Sequence, residues 1–148
     1  MALDTTISYV AARAMGQALA SLMDGGGAAG IIEVRTGAPP ATVEEASTGT
    51  LLATLVCSAT AFDTGADANP GALFTAAAIS SDTSAAAGGV AGYFVAGSSA
   101  DAATMATKLI TGTAGEAADT TDMVLDDKTI VIGGTVACTA WTFTVAEN

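Results

Sequence analysis

The richest chemistry in this 148-residue chain lies in its carboxylates, and their spacing is where a reaction or a ligand site would first show. Asp63, Asp67 and Asn69 recur through FDTGADANPG, a run of hard oxygens of the kind that bind calcium. The EF-hand order D-x-[DN]-x-[DN]-G with a later Glu is absent. Asp and Asn also populate turns because their side chains bond nearby backbone, so the stretch reads as a turn. Glu44-Glu45 is half of a carboxylate site with no second group converging on it. Asp126 and Asp127 are adjacent, so in an extended chain they point to opposite faces and make no acid–base pair. Ser58 and Thr60 carry hydroxyls, but the chain has no histidine, which excludes Ser-His-Asp and Cys-His catalysis and His-Cys metal sites. Cys57 and Cys138 form no CxxC and read as buried free thiols or as a bridge between facing strands. The glycine-rich stretches are not followed by GK[ST], so no phosphate loop is present. No catalytic, cofactor-binding or metal-binding residue is assigned, and the expected role is non-enzymatic.

The bulk composition narrows the partners. Fifteen acidic residues face four basic ones, a net charge of −11. Nucleic-acid binding needs a basic patch to displace counterions, and anionic membranes repel such a surface, so neither is expected as a partner. Hydrophobic residues make up 51% of the chain but aromatics only 5%, so the core must be built from small and β-branched side chains. That suits thin, closely packed sheets. No apolar run reaches the roughly 20 residues of a membrane span. The opening MALDTTISYV lacks the basic region and apolar run of a signal peptide, so synthesis in a cytoplasm is expected.

Two regions position these groups: an N-terminal arm, helix and Gly-rich hinge over residues 1–29, and a β-sandwich over 30–148. Ser8 is placed to cap a helix from Tyr9 to about Asp24, with Gly25 as a left-handed stop. Met15, Leu19, Leu22 and Met23 form one apolar stripe, which packs either on the protein's own sheet or on a partner subunit; Arg13 and Gln17 lie off it. GGGAAG then reads as a flexible connector. Strands are expected at IIEVR, LLATLVC, ALFTAAAI, GVAGYFVA, MATKLIT and Met123 to Leu125. KTIVIGGTVACTAWTFTV reads as a closing hairpin turned at Gly133-Gly134, with Ile130, Ile132, Trp141 and Phe143 as core anchors. About eight short strands behind one N-terminal α-helix predict a mainly β fold, an antiparallel, jelly-roll-like β-sandwich, with an immunoglobulin-like sandwich as the alternative.

The order of several stretches resembles a loosely related set of small virion proteins of tailed bacteriophages. These stretches are the amphipathic N-terminal segment, IIEVRTGAPP, TGTLLATLVCSATAF, AISSDTSAAAGGVAGYF and TIVIGGTVACTAWTFTV. The set's usual basic residue after GYF is Val95 here, and residues 98–104 are Ala-rich. The resemblance implies a capsid cement or decoration protein, made in the bacterial host cytoplasm and located on the capsid surface of the virion. It further implies that the chain binds the major capsid protein and neighbouring copies of itself as a homotrimer. Alternatives are a carbohydrate- or receptor-binding module of a tail or spike, using Tyr93, Phe94, Phe62 and Trp141 as stacking platforms, or a tail-tube or connector component.

Overall fold

The computed structural model describes residues 6–147. Helix α1 (Tyr9–Asp24) begins as its sequence requires, with the Ser8 hydroxyl accepting from the Ala11 amide at 3.3 Å. Gly25 is not left-handed, however: its φ is −83°, and the positive φ falls at Gly27, at 95°. The face that packs takes only Met23 fully from the long-chain stripe. Ala12, Gly16, Ala20 and Met23 are buried, whereas Met15 and Leu22 are 55% and 58% exposed and Leu19 is half-buried. Small residues win because they let the helix axis approach the sheet, and Gly16 sits directly on the Phe74 ring.

Ten strands follow: β1 (Ala28–Thr36), β2 (Leu51–Cys57), β3 (Ala66–Asp67), β4 (Ala72–Thr75), β5 (Ile79–Ser80), β6 (Gly89–Ser99), β7 (Met105–Gly115), β8 (Met123–Leu125), β9 (Thr129–Ile130) and β10 (Cys138–Val145). They form one curled, mixed sheet in the order β3-β4-β10-β8-β7-β6-β1-β2-β5, with β9 paired to β6. Every pairing is antiparallel except β7 with β8, where Ala114 and Gly115 run parallel to Met123 and Val124. The two ends of this path meet on one stretch of chain. Residues 72–75 pair with β10 and 79–80 with β2, and between them the Ala76 amide bonds Trp141 O while the Ala77 amide bonds Ala61 O.

GGGAAG is a packed crossing rather than a free hinge. A Cβ on Gly26 would lie 2.8 Å from the Ser99 amide nitrogen, and one on Gly30 would lie 3.0 Å from Met23 Cε. These glycines let α1 turn straight into β1 against β6.

The closing hairpin is corrected. β9 and β10 do not pair with each other: β9 lies on β6, with Ile130 opposite Gly89, and β10 lies between β4 and β8. The turn at Gly133-Gly134 is instead clasped by the preceding loop, since the Gly133 amide bonds Ala85 O and the Ala85 amide bonds Gly134 O. The strand therefore ends at Ile130, alternation stops, and Ile132 stands on the turn at 69% exposure. Ile132 is not a core anchor. Ile130 and Trp141 are buried, and Phe143 is half-buried against the core.

That core is aromatic at its centre despite the low aromatic content. The Trp141 ring meets Phe62 at 4.7 Å and Phe94 at 5.1 Å, both edge-on, while Phe143 meets Phe62 edge-on at 4.8 Å and stacks on Phe74 at 4.9 Å. Such pairs add about 0.5–1.5 kcal/mol each beyond area burial.

Candidate interaction surfaces

The oxygen-rich turn is occupied by its own backbone. Asp63 Oδ1 accepts from the Gly65 and Thr75 amides, both at 3.1 Å, and Asp67 Oδ1 accepts from the Asn69 amide at 3.0 Å. Glu45 likewise accepts from the Ala41 amide, and Asp126 Oδ1 accepts from the Asp127 and Ala137 amides. These carboxylates build turns. Among the described residues, no group of three or more acidic or cysteine side chains is placed to hold a metal. Ser58 and Thr60 line a shallow depression of about 500 Å³ with Asp63, but the Ser58 hydroxyl donates to Thr60 O and faces no base.

Hydrogen bonds hold Asp101 and Asp119 in their charged form. Amide donors at Ala103 and Thr104 lower the Asp101 pKa, and the Lys128 ammonium, with the Glu116 amide, lowers that of Asp119. Both organise loops at the sheet's ends, Asp101 after β6 and Asp119 between β7 and β8.

The thiols are inert by environment. Both cysteines are free. Burial, with contributions from Asp24 and Cys138, pushes the Cys57 pKa up to about 12, and burial pushes Cys138 up to about 11. A thiol so far above neutral pH carries almost no thiolate and is no nucleophile.

All four cations are spent internally. Arg35 pairs with Glu33 at 2.8 Å and Lys128 with Asp119 at 2.9 Å. Arg13 donates to Thr64 O at 2.7 Å and Lys108 to Glu45 O at 2.7 Å. What the protein shows to its surroundings is an acidic surface.

Three features of that surface stand out. The first is the outer edge of α1, where Val10, Met15 and Leu22 are exposed. The second is an apolar tip of Val90, Val131 and Ile132, brought together because β9 pairs with the start of β6. The third is a groove of about 490 Å³ between β7 and β10, lined by Phe94, Ile110, Thr111, Asp122, Trp141 and Phe143. The sequence reading identified Met15 and Leu22 but missed the tip and the groove. Val131 and Ile132 looked like strand residues, and the groove exists only because β8 is three residues long.

The stacking platforms named from the sequence are all inside. Tyr93, Phe94, Phe62 and Trp141 are buried, and the Tyr93 hydroxyl donates to Thr48 O. Val95 is buried as well, in the position where the bacteriophage set carries a basic residue.

Among the described residues, no helix is long and apolar enough to cross a membrane. No protein-family model, curated protein or solved structure matches the chain.

Proposed function

We propose that this chain is a non-enzymatic structural protein of a tailed-bacteriophage virion, of the capsid cement or decoration type. On this reading it binds the major capsid protein, sits on the capsid surface and associates with copies of itself, with a homotrimer as the expected assembly. The observation that carries the reading is the ordered series of motifs over residues 30–145. The surface agrees with it in kind: apolar edges on α1 and at the Val131–Ile132 tip are set in an acidic exterior, as expected of a protein that acts by contact area. The sandwich-like, jelly-roll-like reading of the curled sheet belongs to the same proposal. Its support is that Phe94 on one wall packs against Trp141 on the other.

The carbohydrate- or receptor-binding alternative loses its main support, because none of its four aromatic candidates is exposed.

Removing α1 is a poor test, since it would uncover Phe74. The sharper one is the paired substitution Met15→Glu with Leu22→Glu, which changes only the exposed edge. Occupancy on purified heads should fall while the circular dichroism spectrum and unfolding midpoint hold. Full occupancy by this variant, and by an Ile132→Glu variant, would remove these two edges as the shell contact, and failure of the unsubstituted chain to bind heads would remove the shell-binding reading.

A further inference from the structure

β7 is paired with β6 from Met105 opposite Ser99 to Thr113 opposite Tyr93, with two register shifts on the way. Its other edge is paired only at Ala114 and Gly115. β10 is in a matching state: its ladder with β8 ends at Trp141 opposite Met123, and beyond Thr142, which that register places opposite Asp122, it is bonded to β4 alone. Two strand edges therefore face each other across the groove, with no strand between them. Alternation identifies the groups concerned. The Thr113 amide points into the gap, because it donates to Asp122 Oδ2 at 2.8 Å, so Thr111, two residues earlier, presents its backbone the same way. On β10, Trp141 O accepts from Ala76 on the β4 side, so Thr142 and Thr144 turn their backbone away from β4; Thr142 lies opposite Asp122, and Thr144 faces the open gap. An unpaired edge is a template for another strand, and here it lies over an apolar floor of the half-buried Ile110 and Phe143. At about 490 Å³ the space lies within the size range of ligand sites.

We propose that this groove takes an extended segment of a basic partner protein, which adds as a strand along β7. The inward side chains of the segment are small and apolar and rest on Ile110 and Phe143. A Lys or Arg of the segment meets Asp122, whose Oδ2 is committed to the Thr113 amide and hydroxyl and whose Oδ1 is left for the incoming cation. Charge selects the occupant. The chain carries −11 with each of its four cations already bonded internally, so two copies repel where a basic segment is attracted. In the virion reading the partner is the shell subunit; only that last identification rests on the proposed function.

The test uses the full chain, isotopically labelled, titrated with the hexapeptide acetyl-KVTVTK-amide. Saturable amide shifts are expected at Thr111, Thr113 and Thr144. N-methylation of the peptide's backbone, which leaves the protein untouched, should weaken binding by about tenfold or more, as should Thr111→Pro. Asp122→Asn should keep the Thr113 contact and lose most of the salt dependence. The proposal is overturned if no saturable shift appears at millimolar peptide, or if the shifts centre on α1 or the Val131–Ile132 tip. It is equally overturned if the N-methylated peptide or acetyl-EVTVTE-amide binds as well. Concentration-dependent dimers that protect the same amides from hydrogen exchange would make the occupant a second copy and overturn the basic-partner assignment. Peptide binding without occupancy on heads would leave the groove standing and remove the virion reading, and the reverse would remove only the groove.

Discussion

Gly16 lies in the middle of α1, where helix propensity alone favours alanine by about 1 kcal/mol. The tertiary structure reverses the sign. A Cβ at this position would lie 2.8 Å from Phe74 Cδ2 and closer still to the ring's far edge. The ring cannot swing aside: it is fully buried and stacked on Phe143 at 4.9 Å. A Cβ on Gly65 would lie only 2.7 Å from Phe74 Cζ, so that side is closed as well. Overpacking costs about 1–3 kcal/mol, and disturbing the stacked pair costs about 0.5–1.5 kcal/mol more. Set against the propensity gain, Gly16→Ala should lose about 1–3 kcal/mol, or about 2–4 °C in Tm for each kcal/mol in a chain of this size. Urea unfolding followed by Trp141 fluorescence and by helix circular dichroism measures it. Ala18→Gly, on the exposed face, is the control and should lose about 1 kcal/mol through propensity alone. Adding Phe74→Leu to Gly16→Ala should recover part of the loss, a coupling that two independent sites would not show. A Gly16→Ala protein as stable as the parent, or more so, would refute the packing argument.

Trp141→Ala should cost about 3–5 kcal/mol, because it removes the ring that Phe62 and Phe94 both contact, and the parent's emission should be blue-shifted and insensitive to quencher. Ile130→Ala should cost about 2–5 kcal/mol, whereas Ile132→Ser should stay within about 0.5 kcal/mol; equal losses in denaturant would restore both to the core. Alkaline pH probes Cys57. Its folded pKa is raised, so its contribution to stability is complete below the ordinary thiol range and is lost as pH climbs toward about 12. Cys57→Val should therefore flatten the alkaline limb of the stability curve. Neither native thiol should react with a disulfide reagent near neutral pH until the chain unfolds.

Several features follow from forces that act within a few residues, although the left-handed stop falls at Gly27 rather than Gly25. The Ser8 cap, the span of α1 and the strand LLATLVC follow from a hydroxyl, a helical period and a run of apolar residues, each acting within a few positions. The turn role of Asp63, Asp67 and Asn69 also follows, because each carboxylate reaches an amide only two residues on, or the facing strand. Pairing is a different matter. Gly133-Gly134 has the composition of a hairpin turn, yet its amides and carbonyls are taken by Ala85, and the flanking strands go to β6, β4 and β8.

The same division holds for the surfaces. Composition by itself determined a small-residue chain with an acidic exterior and no histidine chemistry, because these are sums over side chains and need no neighbours. Only the tertiary structure decided which apolar residues stay outside. On α1 the long stripe was the more hydrophobic face, but Phe74 needed a partner without a side chain, so Gly16 turned inward and Met15 and Leu22 were left exposed. At the other end of the chain, the three-residue β8 left β7 and β10 unjoined above it, and no single stretch of sequence carries that gap. Its edges come from strands distant in sequence, and hydrogen-bond partners at that distance are chosen by the whole sheet.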